Sequence, residues 1–360
     1  MGLTRRADDG MKIPDFWQFG LFVPNSREME MTVRFGLLGA GRIGKVHAKA
    51  VSGDANATLV AVADAFPQAA EAIASAYGCE VRTIEAIEAA KDIDAIVICT
   101  PTDTHADLIE RFARAGKAIF CEKPIDLDVA RVKSCIKVVE ETGAKLMVGF
   151  NRRFDPHFMA VRKVIDDGKI GDVEMVTITS RDPGAPPVDY IKRSGGIFRD
   201  MTIHDFDMAR FLLGEEPVSV LATAAVLVDK AIGEAGDYDS VSVILQTASG
   251  KQAVISNSRR ATYGYDQRIE VHGSKGMATA ENQRPVSIEV ANGDGYTRPP
   301  LHDFFMTRYT EAYANEIAAF IAAIEKGTKI SPSGADGLAA LALADAAVQS
   351  VKEGKLIKIG

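Results

Sequence analysis

The sequence predicts an α/β protein in two parts: a doubly wound, parallel α/β domain over residues 31–150, and an α+β domain with an open, largely antiparallel sheet over residues 151–360. Three observations carry this. A chain of 360 residues exceeds what one ordinary core organises. Its first part alternates short, branched apolar runs with helix-like stretches. After Asn151 the texture changes to short segments in which apolar and polar residues alternate.

Residues 1–30 stand apart. Arg5-Arg6 resemble the start of an export signal, but Asp8 and Asp9 follow them, Gln18 interrupts the apolar Phe16–Val23, and no small-residue cleavage site appears. A dispensable extension is expected, with Met31 opening directly onto the first strand.

In the first part, strands are expected at Val33–Leu38, Thr58–Ala63, Ala95–Cys99, Ala118–Cys121 and Lys145–Phe150. Helices are expected at Ile43–Val51, Pro67–Tyr77, His105–Ala115 and Asp128–Thr142. In the second part, a helix near His157–Asp166 leads to a strand at Val173–Thr179, then to a loop rich in Pro and Gly from Arg181 to Gly196. A helix over Met201–Leu213 ends at Gly214, a left-handed cap. From Pro217 to about Val290 hairpins are expected. In Ser240–Gln246, Val241, Val243 and Leu245 share one face, and Gly273-Ser274-Lys275-Gly276 reads as a tight turn. Two helices, Tyr309–Glu325 and Ala335–Glu353, close the chain.

With 47% hydrophobic and 25% charged residues, the composition is that of a soluble globular protein. The net charge of −7 argues against nucleic acid or an anionic membrane as the main partner. No run approaches the roughly 18 apolar residues that span a bilayer. Cys79, Cys99, Cys121 and Cys135 form no CxxC pair, which fits buried thiols in a reducing, cytoplasmic setting. The histidines show no metal-ligand spacing, so no metal is expected.

Gly39-Ala40-Gly41-Arg42-Ile43-Gly44 is a GxGxxG run that follows a strand and opens a helix, the context a dinucleotide fingerprint requires. Gly39 permits the tight turn, Gly41 lets the backbone approach the pyrophosphate, and Gly44 lets helix and strand pack closely. The second strand ends at Asp64, twenty residues beyond Gly44, where an acid binds ribose hydroxyls and repels a 2′-phosphate. NAD is therefore the expected cofactor, with Arg42 leaving a route to NADP open. The fourth strand runs into Thr100-Pro101-Thr102, with His105 either lining the cofactor edge or packing its helix. The fifth ends at Glu122-Lys123-Pro124, which fixes a lysine at the sheet's carboxyl edge. Asp200 and His204, four residues apart, are expected on one helix face beside the acids Asp205 and Asp207.

These motifs, with Gly149-Phe150-Asn151-Arg152-Arg153-Phe154 and the run from Gly195 to Asp207, resemble the Gfo/Idh/MocA oxidoreductases from about Met31 onward. The resemblance implies that Lys123, Asp200 and His204 form the catalytic group, His204 as the base with Asp200 orienting its ring. Its inositol-oxidising members imply further polyol contacts at Arg153, Asp182, Tyr263 and Tyr265, with the choice between Arg152 and Arg153 open. The implied reaction is NAD-dependent oxidation of one secondary hydroxyl of a cyclic polyol, myo-inositol to scyllo-inosose, by a homo-oligomer, with a tetramer favoured. The alternatives are another inositol isomer, a pyranose sugar such as glucose, or a non-catalytic NAD-binding sensor.

Overall fold

The computed structural model describes residues 32–359; the expectation for residues 1–30 falls outside them. The first sheet holds β1 (Val33–Leu38), β2 (Ala57–Ala63), β3 (Glu80–Val81), β4 (Ala95–Ile98), β5 (Ala118–Glu122) and β6 (Leu146–Gly149). All are parallel, in the order β3-β2-β1-β4-β5-β6. The crossovers carry α1 (Arg42–Gly53), α2 (Pro67–Tyr77), the short α3 (Ile84–Ala89), α4 (His105–Arg114) and α5 (Val129–Thr142). Strand β4 shows why its sequence is apolar throughout. Ile96 and Ile98 pack with Ile109 and Phe112 of α4, whereas Ala95 and Val97 pack with Ala48 and Val51 of α1.

Next come α6 (Pro156–Asp166), β7 (Val173–Arg181), α7 (Val188–Ser194), α8 (Gly196–Asp200) and α9 (Thr202–Leu213). The segment from Arg181 to Gly196, expected as loop, thus contains a helix. The single helix expected from Met201 is preceded by a separate turn of helix, with the break at Met201. Gly214 takes the left-handed conformation expected of it (φ 65°).

The second sheet adds β8 (Pro217–Ala225), β9 (Ser240–Thr247), β10 (Gln252–Ser258), β11 (Asp266–Gly273) and β12 (Gly276–Ala280), with the short α10 (Lys230–Glu234) between β8 and β9. A ribbon of β13 (Val290–Asn292) and β14 (Gly295–Thr297), then α11 (Phe305–Arg308), α12 (Thr310–Lys326), α13 (Gly334–Glu353) and β15 (Ile357–Lys358) complete the chain. The sheet order is β12-β11-β7-β10-β9-β8-β15. It is antiparallel except at β7 and β10, which run parallel from Met175↔Gln252 to Arg181↔Ser258. Gly273 pairs with Gly276 across the expected turn. Val241, Val243 and Leu245 face the core as their alternation predicts. Helices α9 and α13 pack on each other and on this sheet.

Helix α12 returns to the first sheet. Its Ile317, Phe320 and Ile321 join the core of Val33, Phe35 and Phe120, with the Phe320 ring 6.3 Å from Phe35 and 6.0 Å from Phe120. Burying each such side chain contributes roughly 1.5–3 kcal/mol. Lys145 donates to the Ala323 and Ile324 carbonyls at the end of α12, at 2.7 and 3.0 Å, and so satisfies acceptors that the helix itself leaves open. All four cysteines are free, three of them buried. Burial raises the thiol of Cys135 to about 12 and pushes Cys99 and Cys121 well up. Among the described residues no helix is long and apolar enough to cross a membrane.

Candidate active site

The turn between β1 and α1 is built by exclusion of side chains. Gly39 has φ 96°, and a Cβ there would lie 2.5 Å from the Cys99 carbonyl oxygen; one on Gly44 would lie 2.0 Å from the Gly39 carbonyl oxygen. Gly41 differs, because its Cβ would meet nothing within 4 Å. The backbone there borders open space at the first turn of α1, and Gly41 caps that helix without a side-chain bond. Asp64 accepts from Ala40 N–H at 2.5 Å and from Phe66 N–H at 2.8 Å, so its carboxylate is fastened beside the turn. This cradle fits a dinucleotide: room at Gly41 for phosphates, helix N–H groups to receive them, and a fixed acid at the second strand. Ile43 packs partly against the core, and the Arg42 guanidinium lies over the Phe304 ring at 5.8 Å.

At the neighbouring strand ends, Thr100 and Thr104 share a hydroxyl hydrogen bond of 2.6 Å, and Pro101 precedes a 3-10 turn over Thr102–Thr104. Both ring nitrogens of buried His105 lie 2.8 Å from carbonyl oxygens, Nδ1 from Pro124 and Nε2 from Thr100. His105 therefore ties the loop after β4 to the loop after β5. Glu122 turns inward to His47, with Nε2 and Oε1 2.6 Å apart. With Glu316 these residues form a buried group whose ligand atoms lie within 4.8 Å of one another. The His47–Glu122 separation is that of a hydrogen bond. Burial, with the Glu122 charge, pushes the Glu316 carboxyl well up, toward its neutral form.

Lys123 leaves the end of β5 and reaches the second part of the chain. Its Nζ donates to the Asp200 main-chain carbonyl at 2.6 Å and lies 3.6 Å from Asp200 Oδ1. The break at Met201 makes this possible: His204 N–H bonds the Met201 carbonyl, so the Asp200 carbonyl has no helical partner in the following turn. Tyr190 donates its hydroxyl to Asp200 Oδ1 at 2.8 Å, and both Nη atoms of Arg259 lie 3.4 Å from Oδ2. The expected support of the His204 ring by Asp200 is not what the structure shows. Asp200 is committed to Lys123, Tyr190 and Arg259, and His204 Nδ1 is buried without a partner. Burial, followed by the Lys123 and Arg152 charges, holds the His204 imidazole well below its ordinary value. The ring is neutral at neutral pH.

Of the two arginines, Arg152 faces this group. It donates to Ser180 Oγ at 3.0 Å and pairs with buried Asp205, and its charge acts on His204, Asp182 and Tyr265. Arg153, the other arginine of the pair left open for the polyol, turns to different partners. Its guanidinium is taken by Asp207 at 2.6 and 2.7 Å and by Asp336 at 3.0 Å, beside the Phe211 ring. The acids Asp205 and Asp207 are thus the counter-ions of these arginines. Asp182 continues past β7, its N–H on the Ser258 carbonyl at 2.9 Å. Burial raises its carboxyl to about 7, with Arg259 and Arg152 pulling down and Asp200 and Asp205 pushing up. Tyr265 is buried close enough to feel Asp182 and Arg152. Tyr263, expected beside it, is instead half exposed; its hydroxyl donates to Asp266 at 2.6 Å and accepts from Arg181 at 3.0 Å. Tyr263 and Tyr265 sit two residues apart at the lead into β11, but their side chains take these different partners.

Sequence reasoning missed Tyr190 and Arg259. Arg259 carried a usable signal: Ala253, Ile255, Asn257 and Arg259 share the inward phase of β10. Tyr190 lies in a Pro- and Gly-rich segment with no periodicity to mark it.

Residues 33–150 match an oxidoreductase family with an NAD-binding Rossmann fold, and residues 158–279 match the GFO/IDH/MocA C-terminal domain. The chain is 88% identical to inositol 2-dehydrogenase of Rhizobium meliloti over 91% of its own length and all of that protein. Among solved structures, a myo-inositol dehydrogenase from Corynebacterium glutamicum superposes with a TM-score of 0.88 at 44% identity, covering 91% of this chain and 99% of that one. A scyllo-inositol dehydrogenase from Lactobacillus casei, with bound cofactor NAD(H) and scyllo-inositol, gives 0.85 at 30% identity, again covering 91% and 99%.

Proposed function

Because the chain belongs to the Gfo/Idh/MocA oxidoreductase family, we propose that it oxidises one secondary hydroxyl of myo-inositol to the ketone scyllo-inosose, with NAD as the acceptor. The observation that carries this is the meeting of Lys123 with Asp200 at the carboxyl edge of a dinucleotide-binding sheet. Neutral His204 lies close enough to feel the lysine's charge. The choice of polyol leans on the likeness to the R. meliloti enzyme.

Oxidation removes a proton from the hydroxyl and a hydride from its carbon, and bound NAD supplies the hydride acceptor. Gly39, Gly41 and Gly44 with the first turn of α1 would hold the phosphates, and Asp64 the ribose. His204 accepts the hydroxyl proton through Nε2, since Nδ1 is enclosed. Burial, with the Lys123 and Arg152 charges, keeps the ring neutral, and the same forces favour handing that proton on to water. The Lys123 ammonium, held by Asp200, stabilises the negative charge that develops on the substrate oxygen. Arg152, Asp182 and Tyr265 present a polar wall, and fixed partners of this kind reject rings whose hydroxyls leave a buried group unpaired.

A second reading, oxidation of scyllo-inositol, is favoured by the likeness to the L. casei enzyme. Following NADH absorbance with myo-, scyllo- and chiro-inositol and glucose decides between them. Myo-inositol is expected to give the highest kcat/KM, NADP a lower value than NAD, and no turnover of any polyol defeats the enzyme reading.

We read residues 31–150 as the cofactor part and 151–360 as the substrate and assembly part, with α12 crossing between them. A cytoplasmic location fits the free thiols. On the second sheet Leu221 of β8, Ile244 of β9 and Val254 of β10 stand in one row, with Leu221 and Ile244 exposed. Such a row favours association through the open face, and a homotetramer is the state we infer.

A further inference from the structure

Arg259 follows β10 by one residue and is 1% exposed, the largest fully enclosed side chain among the described residues. A guanidinium so enclosed is tolerated only beside counter-charge. Here that charge comes from three elements. Asp200 at the end of α8 presents Oδ2 to both Nη atoms at 3.4 Å; Asp237, after α10, lies 3.7 Å from Nη2; and Asp182, after β7, lies within the reach of its field. Asp237 is itself fixed, because its Oδ1 accepts from Ile197 N–H at 3.0 Å. Gly196, at φ 82°, leaves the room: a Cβ there would sit 2.7 Å from that oxygen.

The two oxygens of Asp200 therefore have separate duties. Oδ2 is drawn back toward Arg259, while Oδ1 meets the Tyr190 hydroxyl and faces Lys123. We propose that Arg259 is a positioning residue for the reaction, anchoring the Asp200 carboxylate from behind so that its other oxygen and its carbonyl hold the Lys123 ammonium at the substrate cleft. This rests on the reading of Lys123 as the group that meets the substrate oxygen. The distances set its logic. At 3.4 Å the Arg259 contacts orient Oδ2 without gripping it in a short bidentate pair, and Asp200 keeps 14% of its side chain exposed. The charged and titratable groups around Asp200 are Lys123 after β5, Tyr190 from α7, Arg259 after β10, Asp237 after α10 and Asp182 after β7.

Arg259→Met, Arg259→Lys and Lys123→Met in the full chain test the proposal, with NADH binding followed by fluorescence and kcat and KM followed across the neutral pH range. Arg259→Met is expected to bind NADH within about twofold of wild type and to lose roughly tenfold or more in kcat. Its acid limb of kcat/KM moves to higher pH, because Asp182 loses a cation that favours its anion. Arg259→Lys restores the charge without the fork and regains part of kcat. Wild-type kcat with an unmoved pH profile in Arg259→Met overturns the proposal. If that variant does not fold, wild-type kcat in Arg259→Lys overturns it, since the retained charge leaves the pH profile where it was. Wild-type turnover in Lys123→Met defeats the parent reading, whereas an inactive Lys123→Met beside an unaffected Arg259→Met defeats this inference alone.

Discussion

Lys123 Nζ is hydrogen-bonded to the main-chain carbonyl of Asp200 at 2.6 Å and stands 3.6 Å from the same residue's carboxylate. One residue thus binds the ammonium twice, once through a group that no substitution removes and once through a group that substitution does remove. The first contact exists because the chain breaks its helix at Met201.

That double contact orders the variants. Lys123→Ala is expected to lower kcat by roughly 10² or more, while NAD binding persists. Asp200→Asn should fall between wild type and Lys123→Ala, since the carbonyl contact survives while the ion pairs with Lys123 and Arg259 are lost. Steady-state kinetics check the order; an Asp200→Asn variant slower than Lys123→Ala would show that Asp200 acts in some other way.

The pH dependence of kcat/KM should be governed by Asp182. Its carboxyl is raised to about 7 by burial, so the protein holds this proton below that pH and loses it above. The anion is the stronger acceptor for a polyol hydroxyl, so kcat/KM should climb as pH rises through about 7. His204 is held well below its ordinary value and does not titrate in that window. Asp182→Asn should flatten the climb, and an unchanged climb in that variant would move the titration to another group.

The glycine turn separates folding from cofactor affinity. In Gly44→Ala the new methyl would meet the Gly39 carbonyl, and a loss of about 2 kcal/mol or more in unfolding stability is expected. In Gly41→Ala the methyl meets no protein atom, so stability should hold within ~0.5 kcal/mol. Its KM for NAD should nevertheless rise about tenfold, the equivalent of ~1.4 kcal/mol of lost contact. Denaturant melts and cofactor titrations on the two variants read this out; an unaltered KM in Gly41→Ala would remove the pyrophosphate from that position.

Much of the fold was legible because it is local. Branched apolar runs marked the strands, Gly214 its helix end, and alternation the inward face of β9. The parallel pairing of β7 with β10 was not, since it joins residues 77 positions apart, as Met175 and Gln252 are, with no local mark. The motifs singled out Lys123, Asp200 and His204, but not the partners that each of them takes in the structure. Arg152 and Arg153 sit side by side in the 3-10 turn Asn151–Phe154, where adjacent side chains diverge. Only packing reveals that one goes to Asp205 and the other to Asp207. A helix drawn unbroken through Asp200 and His204 gave the wrong partner for Asp200, because the i, i+4 rule presumes a regular turn that Met201 interrupts.

The return of α12 to the first sheet bears on whether the cofactor half is a transferable module. A fragment ending at Phe150 would strip Phe35 and Phe120 of their cover and leave Lys145 without the carbonyls it satisfies. Grafting the dinucleotide-binding segment onto another substrate unit would therefore require carrying residues 310–326 along with it, so recombination in this protein has to respect a discontinuous, two-piece unit bounded by three cuts rather than a single one.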